Sequence, residues 1–108
     1  GISPPDCNLP LRLAGREIRP DLLWLPLGIA VEVDGQGKYD EPAVLWQEKL
    51  RQEWMESELD LIVLRMTHEE IVGDPRRCGR RWRKAQARRA AASWVRPPGL
   101  DIRVRGSR

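Results

Sequence analysis

Three carboxylates in the first third of the chain have the spacing of a cation site. Asp21 opens one apolar run, and Glu32 and Asp34 lie in or just after a second run, residues 29–33. Carboxylates in buried strands are costly unless something binds them. If the two runs form a hairpin, Asp21 lies opposite Glu32 with Cβ atoms about 5 Å apart, and Asp34 lies diagonally at about 7–8 Å. Such a cluster on one face suits a divalent cation better than a core.

The strands that carry these carboxylates can be read from the apolar pattern. Residues 22–25 and 29–33 are the two runs, and the turn between them is expected at Pro26-Leu27. With that turn, residues whose numbers sum to 53 lie opposite each other. Alternation places Ala30, Glu32 and Asp34 on one face of the second strand. The prediction is therefore a hairpin with one polar face.

The other elements follow from turn and capping signals. We expect a first hairpin from residues 11–13 to Ile18, and a helix that begins at Pro42 and ends near Leu59. The continuous apolar run 61–64 predicts a central strand buried on both faces. The apolar stripe expected for the helix consists of Ala43, Trp46, Leu50 and Trp54.

Two further helices are predicted in the second half of the chain. Thr67 and Glu70 have the spacing of a capping box, so a helix should start at Thr67. Asp74 and Pro75 suit the cap and first position of the next helix, which we expect to run from Arg76 to Val95. Its thin apolar seam is predicted to be Cys78, Trp82, Ala85 and Ala92.

The order strand, strand, helix, strand, helix resembles the PD-(D/E)XK nuclease superfamily, and within it the branch similar to very-short-patch-repair endonucleases. The matching stretch runs from about residue 11 to residue 87. Its motifs are Pro20-Asp21, the acidic strand 31–35, the helix segment 48–51, and the strand 61–65 that leads into the final helix. The resemblance implies a restriction-endonuclease-like α/β fold: a mixed central sheet of about four strands, flanked by helices.

The resemblance also implies a metal site. Asp21 and Glu32 would bind Mg²⁺ or Mn²⁺, with the carbonyl oxygen of Val33 as a third ligand. The superfamily has a lysine two residues after the glutamate, where this chain has Asp34. Asp34 would bind a second ion or be structural. Lys38 is the nearest candidate to position the water, and Lys49 is the alternative.

The helix segment 48–51 has two interpretations. In the resembled family, charged residues of this helix approach the acidic strands. Glu48 would then complete the metal site, and Lys49 or Arg51 would hold a phosphate. Alternatively, Glu48 and Arg51 form an ordinary surface ion pair three residues apart, which contributes little to stability.

Charge is divided unevenly along the chain. Residues 1–74 carry 7 Lys/Arg against 15 Asp/Glu, a net of −8, whereas residues 75–108 carry 12 against 1, a net of +11. Such asymmetry suggests binding of a polyanion or docking of one half on the other. We favour DNA over a solvated helix face. The predicted nucleic-acid-binding residues are Arg76, Arg77, Arg80, Arg81, Arg83 and Lys84.

Length and composition fix the broad class. The 108 residues predict one nuclease-like domain, residues 1–96, followed by a mobile tail, residues 97–108. No apolar stretch approaches the roughly 20 residues of a membrane span, and no secretory signal is present. Cys7 and Cys78 are interpreted as free thiols in a reducing, cytoplasmic location, with a disulfide between them as the alternative. Because the chain starts with Gly, we expect it to be part of a longer protein with another domain, or to carry a tag remnant.

These observations predict a metal-dependent endonuclease that hydrolyses DNA phosphodiester bonds. The alternative is a catalytically inactive nuclease-like module that binds nucleic acid or a partner protein within a larger regulatory or defence protein. A third interpretation is a structural interaction domain whose acidic and basic halves pair across a homodimer. No Ser/His/Asp or Cys/His set is complete, so hydrolysis through a nucleophilic side chain is not expected.

Overall fold

A computed structural model describes residues 4–35 and 41–103, which form seven strands and three helices. The strands are β1 (Asp6–Cys7), β2 (Leu11–Leu13), β3 (Arg16–Ile18), β4 (Leu22–Trp24), β5 (Ile29–Asp34), β6 (Ile62–Thr67) and β7 (Asp101–Ile102). The helices are α1 (Pro42–Ser57), α2 (His68–Gly73) and α3 (Pro75–Ala91). The central sheet has four strands in the order β1-β4-β5-β6, so the predicted α/β fold with a mixed sheet is confirmed.

The hairpin that carries the carboxylates has the predicted register. Strands β4 and β5 are antiparallel, with Leu22 opposite Val31 and Trp24 opposite Ile29. Gly28 closes the turn at a φ of 62°, and its N–H donates to the carbonyl of Trp24 at 2.8 Å. A positive φ is cheap for glycine alone, which explains why the strands reverse here.

Strand β6 is not the central strand that its apolar run predicted. Within the described chain it forms one edge of the sheet, parallel to β5, and β5 has neighbours on both sides. Val63 and Leu64 are accordingly only half-buried. A short apolar run shows that a strand is covered by other residues but does not show how many strands flank it.

A second sheet of three strands has the order β3-β2-β7. The predicted first hairpin, β2–β3, is confirmed, with Ala14 and Gly15 at positive φ in its turn. Strand β7 pairs with β2, and Leu100 is only 4 % exposed. The folded part of the chain therefore extends at least through Ile102 rather than ending at residue 96, because Leu100 has a place in the core.

The central sheet separates two layers of side chains. Ala30 and Leu23 pack on one face with Met55 and Leu59, at the C-terminal end of α1. Ile29 and Ile62 pack on the opposite face with Ala85 of α3, as a smaller apolar cluster. By strand alternation Glu32 and Asp34 share the face of Ala30, so the carboxylates lie on the α1 side.

Helix α1 does not bury the stripe that its periodicity predicted. Trp46 is 57 % exposed and Leu50 is 42 % exposed, while Trp54 is half-buried and Met55 is fully buried. The side of α1 nearest the sheet carries Glu48 together with Arg51 and Gln52, which are half-buried. The reason is that the facing strands present carboxylates, and polar side chains satisfy them better than apolar ones.

The predicted caps of the last two helices are confirmed. The Thr67 hydroxyl accepts the N–H of Glu70 at 3.0 Å, and the Glu70 carboxylate accepts the N–H of Thr67 at 3.1 Å. The Thr67 N–H is the main reason that the pKa of Glu70 is lowered, and the Thr67 hydroxyl and nearby Arg77 and Arg81 add to it. Asp74 caps α3 by accepting the N–H of Arg77.

Helix α3 ends at Ala91, before the predicted Val95. The chain leaves the helix so that the indole N–H of Trp94 can donate to the carbonyl of Leu59 at 2.9 Å. None of the helices in the described ranges is both long and apolar enough to cross a bilayer.

Candidate active site

Asp21 and Glu32 are linked through hydrogen bonds to each other's strands. The backbone N–H of Asp21 donates to Glu32 Oε2 at 3.2 Å, and the N–H of Val33 donates to Asp21 Oδ2 at 2.8 Å. Asp21 lies immediately before β4, and Glu32 lies within β5. The structure therefore brings these two predicted ligands together at the point where the hairpin becomes polar.

Glu32 is more buried than Asp34, with a side chain only 6 % exposed. Its Oε1 accepts a hydrogen bond from Arg51 of α1. The other end of the Arg51 guanidinium reaches the carbonyl of Arg19 at 3.5 Å. Burial of a charge requires such a partner, so Arg51 fixes the position of Glu32 from the helix side.

A second guanidinium, that of Arg65, binds both Asp34 and Glu48. Arg65 of β6 donates to Asp34 Oδ1 at 3.0 Å and to Glu48 Oε2 at 3.1 Å, and its Nε donates to Gln52. Glu48 also lies 3.9 Å from Arg51, as the predicted pair three residues apart in α1. Arg65 therefore connects β5 and β6 to α1 through charge-assisted hydrogen bonds.

We call the four carboxylates of Asp21, Glu32, Asp34 and Glu48 the acidic cluster. Two guanidiniums, those of Arg51 and Arg65, lie among them, so these six groups retain a formal charge of −2. One divalent cation would neutralise that remainder. In residues 4–35 and 41–103, however, no group of three or more His, Cys, Asp or Glu side chains has a metal-holding arrangement.

Asp21 and Glu32 both have carboxylate lone pairs that could take a metal ion. Asp21 uses Oδ2 for the Val33 N–H, and its Oδ1 has no hydrogen-bond partner in the described part of the chain. Glu32 shares its oxygens with Arg51 and the Asp21 N–H, but each carboxylate oxygen carries a second lone pair. Mg²⁺ keeps several waters and needs few protein ligands, so Asp21, Glu32 and the Val33 carbonyl are sufficient.

The two candidate lysines are placed differently. Lys38 lies outside the described residues, and its role stays a prediction. Lys49 is exposed on α1, and its ammonium lies 5.6 Å from the centroid of the Trp46 ring. It forms no ion pair with the acidic cluster in the described chain. Arg51, not Lys49, is therefore the helix cation that reaches the strand carboxylates.

A cavity of about 470 Å³ opens beside the acidic cluster, at the carboxyl ends of the parallel strands β5 and β6. Asp34, Gly35, Thr67, His68 and Glu69 line it. Ligands of α/β sheets commonly bind beyond the carboxyl ends of parallel strands. A phosphate group at this edge would lie next to Asp34.

The basic residues of α3 divide into two groups. Arg81 donates to the carbonyl of Arg65 at 2.7 Å, and Arg89 is buried against the carbonyls of Gly28 and Asp60. Both act within the fold. Of the predicted nucleic-acid contacts, those other than Arg81 are exposed: Arg76, Arg77, Arg80, Arg83 and Lys84. These lie on the α3 side of the sheet, opposite the acidic cluster.

Arg65 and Gln52 belong to the site but were not predicted as members of it. Arg65 ends an apolar run and falls opposite Glu32 in the parallel register, so strand parity carried a signal for it. Gln52 had no such signal, because α1 was expected to turn a different face to the sheet. Comparisons of the chain with protein-family models, curated proteins and solved structures found no match.

Proposed function

We propose that this domain hydrolyses phosphodiester bonds of DNA in a reaction that depends on Mg²⁺ or Mn²⁺. The observation that supports it is the reciprocal pairing of Asp21 and Glu32, which places two carboxylates at one polar end of the hairpin. The order of strands and helices that resembles the PD-(D/E)XK superfamily is the second support. A bound ion would neutralise phosphate charge and lower the pKa of a coordinated water.

Within that reaction the protein groups have separate roles. Asp21, Glu32 and the Val33 carbonyl would hold the ion. Arg51 holds Glu32 in one orientation. Lys38 positions the attacking water or stabilises developing charge.

Arg65 explains how the site tolerates an acid where the family has a lysine. Asp34 occupies that position, and the guanidinium of Arg65 lies 3.0 Å from its carboxylate. A positive charge is therefore present beside the ion site, although a guanidinium cannot act as a base because it does not lose its proton. The water-activating role then falls to Lys38 or to the metal alone.

Plasmid cleavage with Mg²⁺ or Mn²⁺ tests the proposal, with Asp21→Asn compared to wild type. Asparagine keeps an oxygen for the Val33 N–H but loses the charge, so the fold should persist while cleavage is lost. DNA affinity should be unchanged or higher, because a carboxylate that repels phosphate is gone. Asp6→Asn is the matched control, since Asp6 is exposed on β1 and lies outside the acidic cluster. Wild type that cuts neither single-stranded nor duplex DNA with Mn²⁺ would overturn the proposal.

The choice of lysine is tested separately. Lys38→Ala should lower the cleavage rate with little change in metal affinity, because a protonated amine is not a metal ligand. Lys49→Ala should have no effect on rate, because Lys49 lies against Trp46. A slow Lys49→Ala variant would transfer the role to the helix lysine.

A second candidate is a module that has lost catalysis and binds nucleic acid or a partner protein. The observation that favours it is Arg51, a cation already bound to Glu32. In that case wild type would bind without cleaving, and Asp21→Asn would bind nucleic acid at least as tightly as wild type. Binding without cleavage in the plasmid assay would support this candidate.

The domain is proposed to work in a reducing compartment and to contact a second copy or another domain. Cys7 and Cys78 are both free thiols in the structure, which supports a reducing compartment such as the cytoplasm. Exposed Trp46 and Leu50 on α1 support a homodimer or contact with another domain of a longer chain. Sedimentation equilibrium of wild type and Trp46→Ser would distinguish a dimer from a monomer.

A further inference from the structure

An apolar cleft of about 370 Å³ lies on the α3 side of the central sheet. The indole rings of Trp24 and Trp82 meet in it, with centroids 4.3 Å apart and planes inclined by 51°. Its lining is almost entirely apolar: Leu22, Trp24, Val31, Val33, Met66, Ile71, Cys78, Gly79 and Trp82. The cleft is separate from the acidic cluster, which faces α1 on the other side of the same strands.

Three exposed cations of α3 follow one another along the helix on either side of Gly79, which lines this cleft. They form no ion pair with any residue in the described ranges, and we call them the basic row: Arg76, Arg80 and Arg83. Lys84 and Arg88 lie on the β6 side of the helix, where they line a separate cavity with Ile62 and Leu64. Residues four apart in a helix rise by about 6 Å along its axis. The members of the basic row are four and three residues apart, so they present positive charge at steps of about 6 and 4.5 Å along the helix.

Gly79 joins the cleft to the basic row. It lines the cleft, and a Cβ atom placed on it would lie 3.2 Å from Nη1 of Arg83. The Arg83 guanidinium thus lies across the bare helix backbone at the mouth of the cleft. An apolar surface and an exposed cation are adjacent here, because Gly79 has no side chain to separate them.

We infer that this surface binds single-stranded DNA, with phosphates on the basic row and bases against Trp24 and Trp82. Aromatic side chains beside a cationic track are the usual means of holding single strands, because unpaired bases expose their faces. Duplex DNA keeps its bases stacked inside and cannot place them in the cleft. This inference deepens the proposed function, since it rests on DNA as the partner, but it does not depend on cleavage.

Fluorescence anisotropy with a labelled oligothymidylate of about 12 nucleotides, in EDTA and at low salt, tests the inference. Wild type should bind it at least about tenfold more tightly than a duplex or an abasic strand of equal length, because base stacking is lost in both. Affinity should fall steeply as salt rises. Arg80→Ala combined with Arg83→Ala should flatten that slope. Arg12→Ala combined with Arg103→Ala, both exposed and outside α3, is the control for loss of two positive charges.

Gly79 offers a matched pair of variants that keep the helix. Gly79→Ala should bind like wild type, because only the flexible end of Arg83 must move. Gly79→Glu should weaken binding about tenfold or more, because it places a carboxylate at the mouth of the cleft beside Arg83. Both changes favour helix formation, so loss of binding in Gly79→Glu cannot be assigned to unfolding of α3.

Three results would overturn the inference: equal affinity for single strand, duplex and abasic strand, wild-type binding by Gly79→Glu, or equal competition by polyglutamate. The last would assign the surface to an acidic protein. Because the assay contains no metal, Asp21→Asn should bind like wild type. Single-strand binding without any cleavage would remove only the proposed nuclease function, and cleavage without single-strand binding would remove only this inference.

Discussion

Arg65 stands directly opposite Glu32 in the parallel β5–β6 register, yet its guanidinium bonds to Asp34, two residues further along β5, at 3.0 Å. Glu32 is bound by Arg51 from α1 instead. The two carboxylates of β5 therefore take their cations from different elements. Removal of either arginine would leave a negative charge in the interior between the sheet and the helix.

Arg51→Met should destabilise the fold. The Glu32 side chain is 6 % exposed, so loss of its partner should lower the free energy of unfolding by about 2–4 kcal/mol at neutral pH. Arg12→Met is the matched control, because its pair with Glu17 is largely exposed and should contribute less than about 1 kcal/mol. Urea unfolding of both variants measures the difference. Equal losses would mean that Glu32 does not need Arg51.

Mg²⁺ should stabilise the wild-type protein if Asp21 and Glu32 hold the ion. At a free concentration ten times the Kd, the free energy of unfolding should rise by about 1.4 kcal/mol, and Asp21→Asn should remove that gain. Arg51→Met should reach half-saturation at lower Mg²⁺, because the competing guanidinium is gone. Unfolding in MgCl₂ against EDTA gives the increments. A full increment in Asp21→Asn would place the ion elsewhere.

The features that could be predicted from the sequence are those that depend on residues close together in the chain. The hairpin register followed from one turn and strand parity, and the capping box at Thr67 spans only four residues. Helix α1 was harder, because the periodicity rule assumes an apolar neighbour. Here the neighbouring strand face carries Glu32 and Asp34, so the helix turned Arg51 inward and left Trp46 exposed.

The candidate site was predicted only in part, because some of its contacts join residues that are far apart in the sequence. Asp21 and Glu32 are close in sequence, and their pairing required one hairpin. The partnership of Arg65 with Asp34 and Glu48 joins three elements across the sheet and α1. No spacing rule within a single element encodes that arrangement.

Gly28→Ala should be far more harmful than Gly15→Ala. Both glycines have positive φ, 62° and 78°, which costs a non-glycine residue about 1–3 kcal/mol. At Gly28 a Cβ atom would also lie 2.7 Å from Cβ of Trp94 and closer to its ring, whereas at Gly15 nothing lies within 4 Å. Urea unfolding should give about 1 kcal/mol for Gly15→Ala and at least about 3 kcal/mol for Gly28→Ala. Similar losses would contradict the position of Trp94.

The capping box should make stability depend on acidic pH. The Thr67 N–H lowers the pKa of Glu70, so the carboxylate favours the folded state. That contribution is complete above the pKa of Glu70 in the unfolded chain, and is lost as pH falls through the lower pKa of the folded state. Glu70→Gln should therefore remove part of the decline in unfolding free energy on acidification. Exposed Glu56→Gln serves as the control, and the same decline in both variants would rule out this contribution.

The pairing of Leu11 with Ile102 spans nearly the whole described chain. Bringing such distant residues together costs loop entropy that grows with their separation, and long-range pairings slow folding. During synthesis, the β2–β3 hairpin must wait for residue 102 before its third strand arrives. A two-stranded hairpin is marginal alone, and its free edge invites other chains until then. Newly made copies would thus be most prone to aggregate just before β7 emerges from the ribosome.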